Sequence, residues 1–193
     1  SSKSISYKDI LNIKNATFDV NMADAKDSSI NAKLIIDEFV SEQNSIKNIV
    51  IDINGTLEKH QLKADLSSEY GALRLQANGI YDDATQSWSS NDNQISITDT
   101  KIGKWSNSSA SNISISASSQ SIEKLCLHQN QEFTCLSYSH NSDKTQSIIL
   151  EVNQLSLMHT QQLTSDYAYV NGALSADVSL TKNNLEPWMG HAN

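Results

Sequence analysis

The feature that most restricts this chain is a period of two: apolar residues return at every second position along most of its length, and helical spacing is scarce. Such alternation belongs to strands with one buried and one wet face. Phe18, Val20 and Met22 alternate with Asp19 and Asn21, and Ile30, Ala32, Leu34 and Ile36 with Asn31 and Lys33. In the next run Ile49, Ile51, Ile53, Gly55 and Leu57 oppose Asp52, Asn54, Thr56 and Glu58, and Leu62, Ala64 and Leu66 follow. A turn at Lys59-His60 is expected to pair Leu57 with Leu62, Gly55 with Ala64 and Ile53 with Leu66. A second turn at Glu69-Tyr70 carries the same face through Leu73, Leu75, Ala77 and Gly79, leaving Arg74, Gln76 and Asn78 for water. Neither turn has the Asn-Gly or Asp-Gly of a two-residue hairpin, but any even loop length preserves the facing.

Further segments at Ile95/Ile97, Ile113/Ile115/Ala117, Leu125/Leu127, Leu136/Tyr138, Ile148/Leu150/Val152, Leu155/Leu157 and Leu174/Ala176/Val178/Leu180 bring the total to about a dozen strands, with a short helix expected around 156–163. A sheet that wide must curl, split or close. A sandwich needs bulk to fill a layer roughly 10 Å thick between two inner faces, and only 6% of this chain is aromatic. The steady supply of Leu, Ile and Ala suits an all-β, elongated, folded-over sheet whose apolar face lines its own concavity. A single proline leaves the ladders uninterrupted. Two echoes support an extended, repetitive build: Asn93-Gln94-Ile95-Ser96-Ile97 with Asn153-Gln154-Leu155-Ser156-Leu157, and Asn54-Gly55-Thr56-Leu57 with Asn171-Gly172-Ala173-Leu174. All 193 residues read as one β-rich segment.

Cys126 and Cys135 flank a hairpin centred on Asn130-Gln131, in a register that sets them directly opposite each other. Such a pair has Cα atoms about 4.5 Å apart, within disulfide range, and a bond there implies an oxidising compartment. Leu125, Leu127 and Leu136 then fall on the face away from the sulfurs. Free thiols are the alternative.

The charge is −8, from 14 basic and 22 acidic residues, and Arg74 is the lone arginine. Scattered lysines make no basic stripe, which argues against nucleic acid. Apolar runs such as Leu34-Ile35-Ile36 are far short of the roughly 20 residues of a membrane span, so this stretch is expected to be water-soluble, without its own anchor or signal peptide. No catalytic or metal-ligand spacing stands out, and no cofactor is expected; His60, His128, His140, His159 and His191 read as solvated imidazoles at turns and strand ends. Trp88, Trp105 and Trp188 read as rim or strand-end packing residues, with ligand-stacking platforms as the alternative.

The ordered series Gly55-Thr56-Leu57-Glu58-Lys59-His60-Gln61-Leu62, the Leu73/Leu75/Ala77 strand leading to Trp88, Gly103-Lys104-Trp105, the Leu-Cys-Leu hairpin ending at Cys135, and Gly172 to Leu180 before Trp188-Met189-Gly190 resembles the TamB family. These are inner-membrane-anchored components of the translocation and assembly module of Gram-negative bacteria, related to AsmA-like lipid-transfer proteins. The resemblance runs over residues 46–193, and residues 1–45 show the alternation alone. It implies a periplasmic length of a U-shaped sheet, or β-taco, forming a hydrophobic trough, with an anchor outside this chain. It also implies a role in outer-membrane biogenesis, a TamA barrel partner and phospholipid transfer between the two membranes.

On that reading the lining comprises Ile49, Ile51, Ile53, Leu57, Leu62 and Leu66, then Leu73 and Leu75, then Leu125, Leu127 and Leu136, and finally Leu150, Val152, Leu174 and Val178. None of them is catalytic. A dozen strands at about 4.8 Å give roughly 55 Å of trough. Shielding at about 0.8 kcal/mol per CH₂ is worth on the order of 12 kcal/mol for a sixteen-carbon chain, so a continuous lining lets a lipid slide passively. The alternative client is an unfolded outer-membrane or autotransporter polypeptide, which adds to a free sheet edge. An adhesin or surface β-solenoid is a third reading, and an enzyme a fourth. The chain's own edges also favour self-association.

Overall fold

In a computed structural model the described residues form one antiparallel sheet of fourteen strands. The structure describes residues 2–7, 11–22, 29–41, 44–56, 58–159, 171–184 and 186–193. The strands are β1 (Ser2–Tyr7), β2 (Leu11–Met22), β3 (Ser29–Ser41), β4 (Asn44–Thr56), β5 (Lys59–Ser68), β6 (Gly71–Asp82) and β7 (Ser87–Thr100). They continue as β8 (Gly103–Asn107), β9 (Asn112–Ser116), β10 (Gln120–Gln129), β11 (Glu132–His140), β12 (Thr145–Ser156), β13 (Ala173–Asn183) and β14 (Met189–Ala192). Neighbours in sequence are neighbours in space, with one exception. Strands β8 and β9 are two pieces of one interrupted strand, because each pairs with both β7 and β10. Helix amounts to Met158 and His159 among the described residues; of the helix expected over 156–163, Ser156 instead ends β12, Leu157 is a turn, and residues 160–163 lie outside the described residues.

Paired residues of an antiparallel ladder share a face, so the register shows which side chains line up across the sheet. One inner row runs Phe18, Leu34, Ile51, Ala64, Leu75, Ile95, and a second Val20, Ala32, Ile53, Leu62, Ala77. The opposite face carries Asp19, Lys33, Asp52, Lys63, Gln76, Gln94 and, beside it, Asn21, Asn31, Asn54, Gln61, Asn78, Asp92. Alternating charge and carboxamides make that outer face soluble; Lys33 pairs with Asp52, and Asn78 bonds both Gln61 and Asp92.

The expected turn at Glu69-Tyr70 is present, with Ser68 opposite Gly71. The expected turn at Lys59-His60 is not. Ile53 pairs with Leu62 and Gly55 with His60, which moves the turn to between Thr56 and Lys59. The cause is local. Thr56 Oγ1 accepts from the Lys59 N–H at 3.0 Å and donates to the Lys59 carbonyl at 3.2 Å, closing the turn early. Gly55 sits at φ 139°, where an added Cβ would lie 2.4 Å from the Lys59 carbonyl oxygen, so only glycine lets the strands close there. The slip is even, so every side chain keeps its face.

Bulges curl the sheet. Asn48 in β4, Asp99 in β7, Lys124 in β10 and Gln154 in β12 have positive φ, and each lies at a register shift. Serines on the neighbouring strands take up the displaced groups, Lys124 N–H donating to Ser137 Oγ and Gln154 N–H to Ser175 Oγ, both at 3.1 Å. Each bulge bends its strand and strengthens the local twist. The bulge at Gln154 also joins two predicted segments, Ile148/Leu150/Val152 and Leu155/Leu157, into the single strand β12 as far as Ser156.

Candidate functional site: the inner face

The disulfide is formed. Cys126 and Cys135 are opposite each other with Cα atoms 3.9 Å apart, and Leu125 pairs with Leu136 on the other face. Cys135 is buried.

The pairing ladders place fourteen of the fifteen expected lining residues on one side of the sheet. Ile51 and Ile53 head the rows above, with Leu62 and Leu75 in them; Ile49 joins through Ile36, and Leu66 pairs with Leu73. Beyond the middle of the sheet Leu125, Leu136, Leu150 and Val178 form one row, and Leu127, Thr134, Val152 and Ala176 the next. Leu174 pairs with Leu155. Leu57 lies outside the described residues. Much of this face is open to solvent: Phe18 is 67% exposed, and Val20, Met22, Leu136, Leu150 and Leu174 are exposed too. Large apolar residues left open on one continuous face mark a surface made to be covered.

The openness is greatest in two arms, β2–β6 and β10–β13, although Ile115 of β9 is exposed as well. Between them is a buried waist. Apart from Cys135, the buried residues Ala77, Ser90, Asn93, Trp105 and Ser111 belong to β6, β7 and the β8–β9 strand with its interruption. Asn93, 1% exposed, bridges the gap between β8 and β9: its Nδ2 donates to the Ser111 carbonyl at 2.6 Å, and its Oδ1 accepts the Ser111 N–H at 3.3 Å. Asn107 does the same beside it, accepting the Ile95 N–H at 2.6 Å and donating to the Asn93 carbonyl at 2.8 Å. Two carboxamides thus replace the backbone ladder that four intervening residues remove.

The inner rows change character here. The Val20–Ala77 row ends at Asn93, the Phe18–Ile95 row meets Asn107, and the Met22–Ile30–Gly55–His60–Gly79 row meets Ser90. The row through Leu73 and Ile97 reaches Trp105, beyond which the β8–β10 register leads to Gln129. The apolar lining is therefore not continuous, as the alternation had suggested; all four rows meet a polar side chain at β7–β10.

Two histidines expected to be solvated are instead built into this face. His60 Nε2 accepts the Trp88 indole N–H at 2.8 Å, which leaves its Nδ1 proton facing the Thr56 carbonyl at 3.3 Å. The indole lies directly over Gly79, where a Cβ would come within 2.2 Å of Trp88 Nε1. His159 Nε2 donates to Glu132 at 2.8 Å, and its ring meets that of Trp105 edge-on at 6.2 Å. Trp88 and Trp105 therefore serve as packing residues on the inner face, while Trp188 stays exposed. A sequence cue existed for the first pair only: a glycine on the apolar face of one strand leaves room for a large neighbour.

A hollow of about 330 Å³ bounded by Arg74, Gln76, Asp92 and residues 106–110 opens on the polar face. Arg74 is held there by Asp65 at 2.6 Å. Among the described residues no His, Cys, Asp and Glu group is placed to hold a metal ion, and no helix is long and apolar enough to cross a membrane.

Residues 1–190 match the family model described as TamB, N-terminal domain, which extends the likeness through residues 1–45. No curated protein and no solved structure matches the chain.

Proposed function

Because the chain belongs to the TamB family through its N-terminal domain, which serves outer-membrane biogenesis in the translocation and assembly module, we propose that its inner face shelters phospholipid acyl chains in transit between the inner and outer membranes. The observation that carries this reading is the set of apolar rows in the two arms, running across successive strands and half-buried to exposed. A row perpendicular to the strands runs along the trough's axis, so an acyl chain laid on it stays in contact with Leu and Ile for the length of the arm. Six strands, β2 to β7, give about 24 Å of such contact. Each methylene removed from water is worth about 0.8 kcal/mol. The site needs no reacting group.

The outer rows of Asp, Lys, Asn and Gln keep the sheet's other side in water. The disulfide supports a periplasmic setting, with the anchor elsewhere in the protein and a TamA-type barrel as the receiving partner. A polypeptide client would instead add as a strand to a ladder edge.

Photo-crosslinking in cells with the full-length protein tests the reading. Probes at Leu75 and Leu62 should yield phospholipid adducts, and a probe at the outward Arg74 should not. Polypeptide adducts alone at the leucines would replace lipid with a protein client. Equal labelling at all three positions would refute the face assignment.

A further inference from the structure

The waist carries one cluster whose chemistry is distinct from its surroundings. Trp105, Gln129, Glu132 and His159 meet at one margin of the inner face, where a carboxylate and an amide oxygen stand beside an indole ring. The Trp105 N–H is occupied by the Ile102 carbonyl at 3.3 Å, which leaves the indole ring as its interacting surface. Gln129 pairs with Glu132 across the hairpin, and its side chain packs against Gly103, where a Cβ would stand 2.6 Å from Oε1. That Oε1 is buried and accepts no hydrogen bond. Among the described residues Glu132 has a single ion pair, with His159, and both side chains are mostly buried at 16% and 13% exposure. His159 is tethered by that one hydrogen bond, since its buried Nδ1 has no partner.

A carboxylate, an unpaired amide oxygen and an indole face make a receptor for a compact cation with several N–H donors. The imidazole fills that place from within the chain: it donates to Glu132 and lies against Trp105. We propose that the cluster is a station for the primary ammonium of a phospholipid headgroup, with His159 as the internal group that the ammonium displaces. The inference rests on the lipid reading above and adds to it a headgroup class and a stopping point. It also gives the polar waist a purpose. Acyl chains lie along an arm while the headgroup is held where the apolar rows end, so passage is stepwise and selective rather than a free slide.

The test is calorimetric titration of the purified chain with short-chain phosphatidylethanolamine and phosphatidylglycerol, each below its micelle concentration. The native chain should bind the ethanolamine lipid about tenfold more tightly. Glu132→Gln and, independently, Gln129→Leu should reduce that preference below about twofold while leaving the glycerol lipid's affinity in place. His159→Ala should strengthen ethanolamine-lipid binding, whereas a histidine that only supported the fold would weaken both lipids. Retention of the disulfide and of the circular-dichroism spectrum identifies variants that have folded. Equal binding of the two lipids by the native chain removes the ammonium station and leaves the lipid reading standing. Binding of neither removes both. Tighter binding of a lysine-bearing outer-membrane strand peptide than of either lipid overturns the lipid assignment in favour of a polypeptide amine.

Discussion

The β2–β6 arm and the β7–β10 waist solve the same problem in different ways. In the arm, long strands pair in near-regular register and place Leu, Ile and Ala on one face without enclosing them; Phe18 remains 67% exposed. In the waist the central strand is broken, the gap is bridged by Asn93 and Asn107, and the buried side chains include Ser90, Asn93 and Ser111. The arm is held by its ladders, the waist by side-chain hydrogen bonds that have few substitutes. Under the proposed function the arms receive an apolar guest and must stay uncovered, so they forgo burial that would stabilise them. The waist is where this length of sheet has its packed core.

The sharpest way to break the contrast is Asn93→Leu. It leaves the Ser111 N–H and carbonyl unpaired in the core, at about 1–3 kcal/mol for each group, so urea unfolding should shift by about 2–6 kcal/mol. In the arm, Ile51→Val removes one methylene from a half-buried position and should cost about 1 kcal/mol or less in the same assay. Equal losses would mean that the waist is not a core. Gly79→Ala comes next. Its Cβ collides with Trp88, the indole must leave His60, and about 1–3 kcal/mol should be lost to overpacking, with a change in tryptophan emission as the local readout.

Reducing the Cys126–Cys135 bond restores freedom to a short loop of the unfolded chain and should cost about 2.5 kcal/mol by the chain-entropy model. The loss should appear in the β10–β13 arm by hydrogen exchange and leave β2–β6 unchanged. The smallest effect belongs to the outer charge row: Lys63→Ala should change stability by about 0.5 kcal/mol at most, because exposed pairs are weak and screened.

Acid supplies a further comparison, between turns and strands. Asp82 is held below the usual carboxylate range by the Thr85 hydroxyl and the Ala84 N–H, and Asp143 by the Thr145 hydroxyl and N–H. A depressed carboxyl stabilises the folded state above its ordinary titration range, and that contribution disappears as pH falls through the lowered value. Below about pH 4, hydrogen exchange should therefore quicken first in the β6–β7 and β11–β12 turns.

The alternation of Ile49, Ile51 and Ile53, and of Leu73 and Leu75, was enough to assign faces, because a strand's side-chain period is two and any even slip preserves it. The turn between β4 and β5 shows the limit: the hydrophobic pattern allows Ile53 to face either Leu62 or Leu66, and the Thr56 hydroxyl decides between them. The echo of residues 93–97 in 153–157 misleads for a related reason. Gln154 is a bulge with positive φ, while the first copy contains the buried Asn93. Similar short strings take different structures when their neighbours differ.

The sequence by itself determined the strand character, the two-faced sheet and the cysteine register, since all three follow from local periodicity and from spacing about a single turn. Only the tertiary structure decided where the apolar rows stop, which histidines leave water, and how a broken strand is bridged. Those features join Asn93 to Ser111, His60 to Trp88 and His159 to Glu132. Each contact crosses at least one strand boundary or gap, and no period along the chain records which distant residue will fill a vacancy in the ladder.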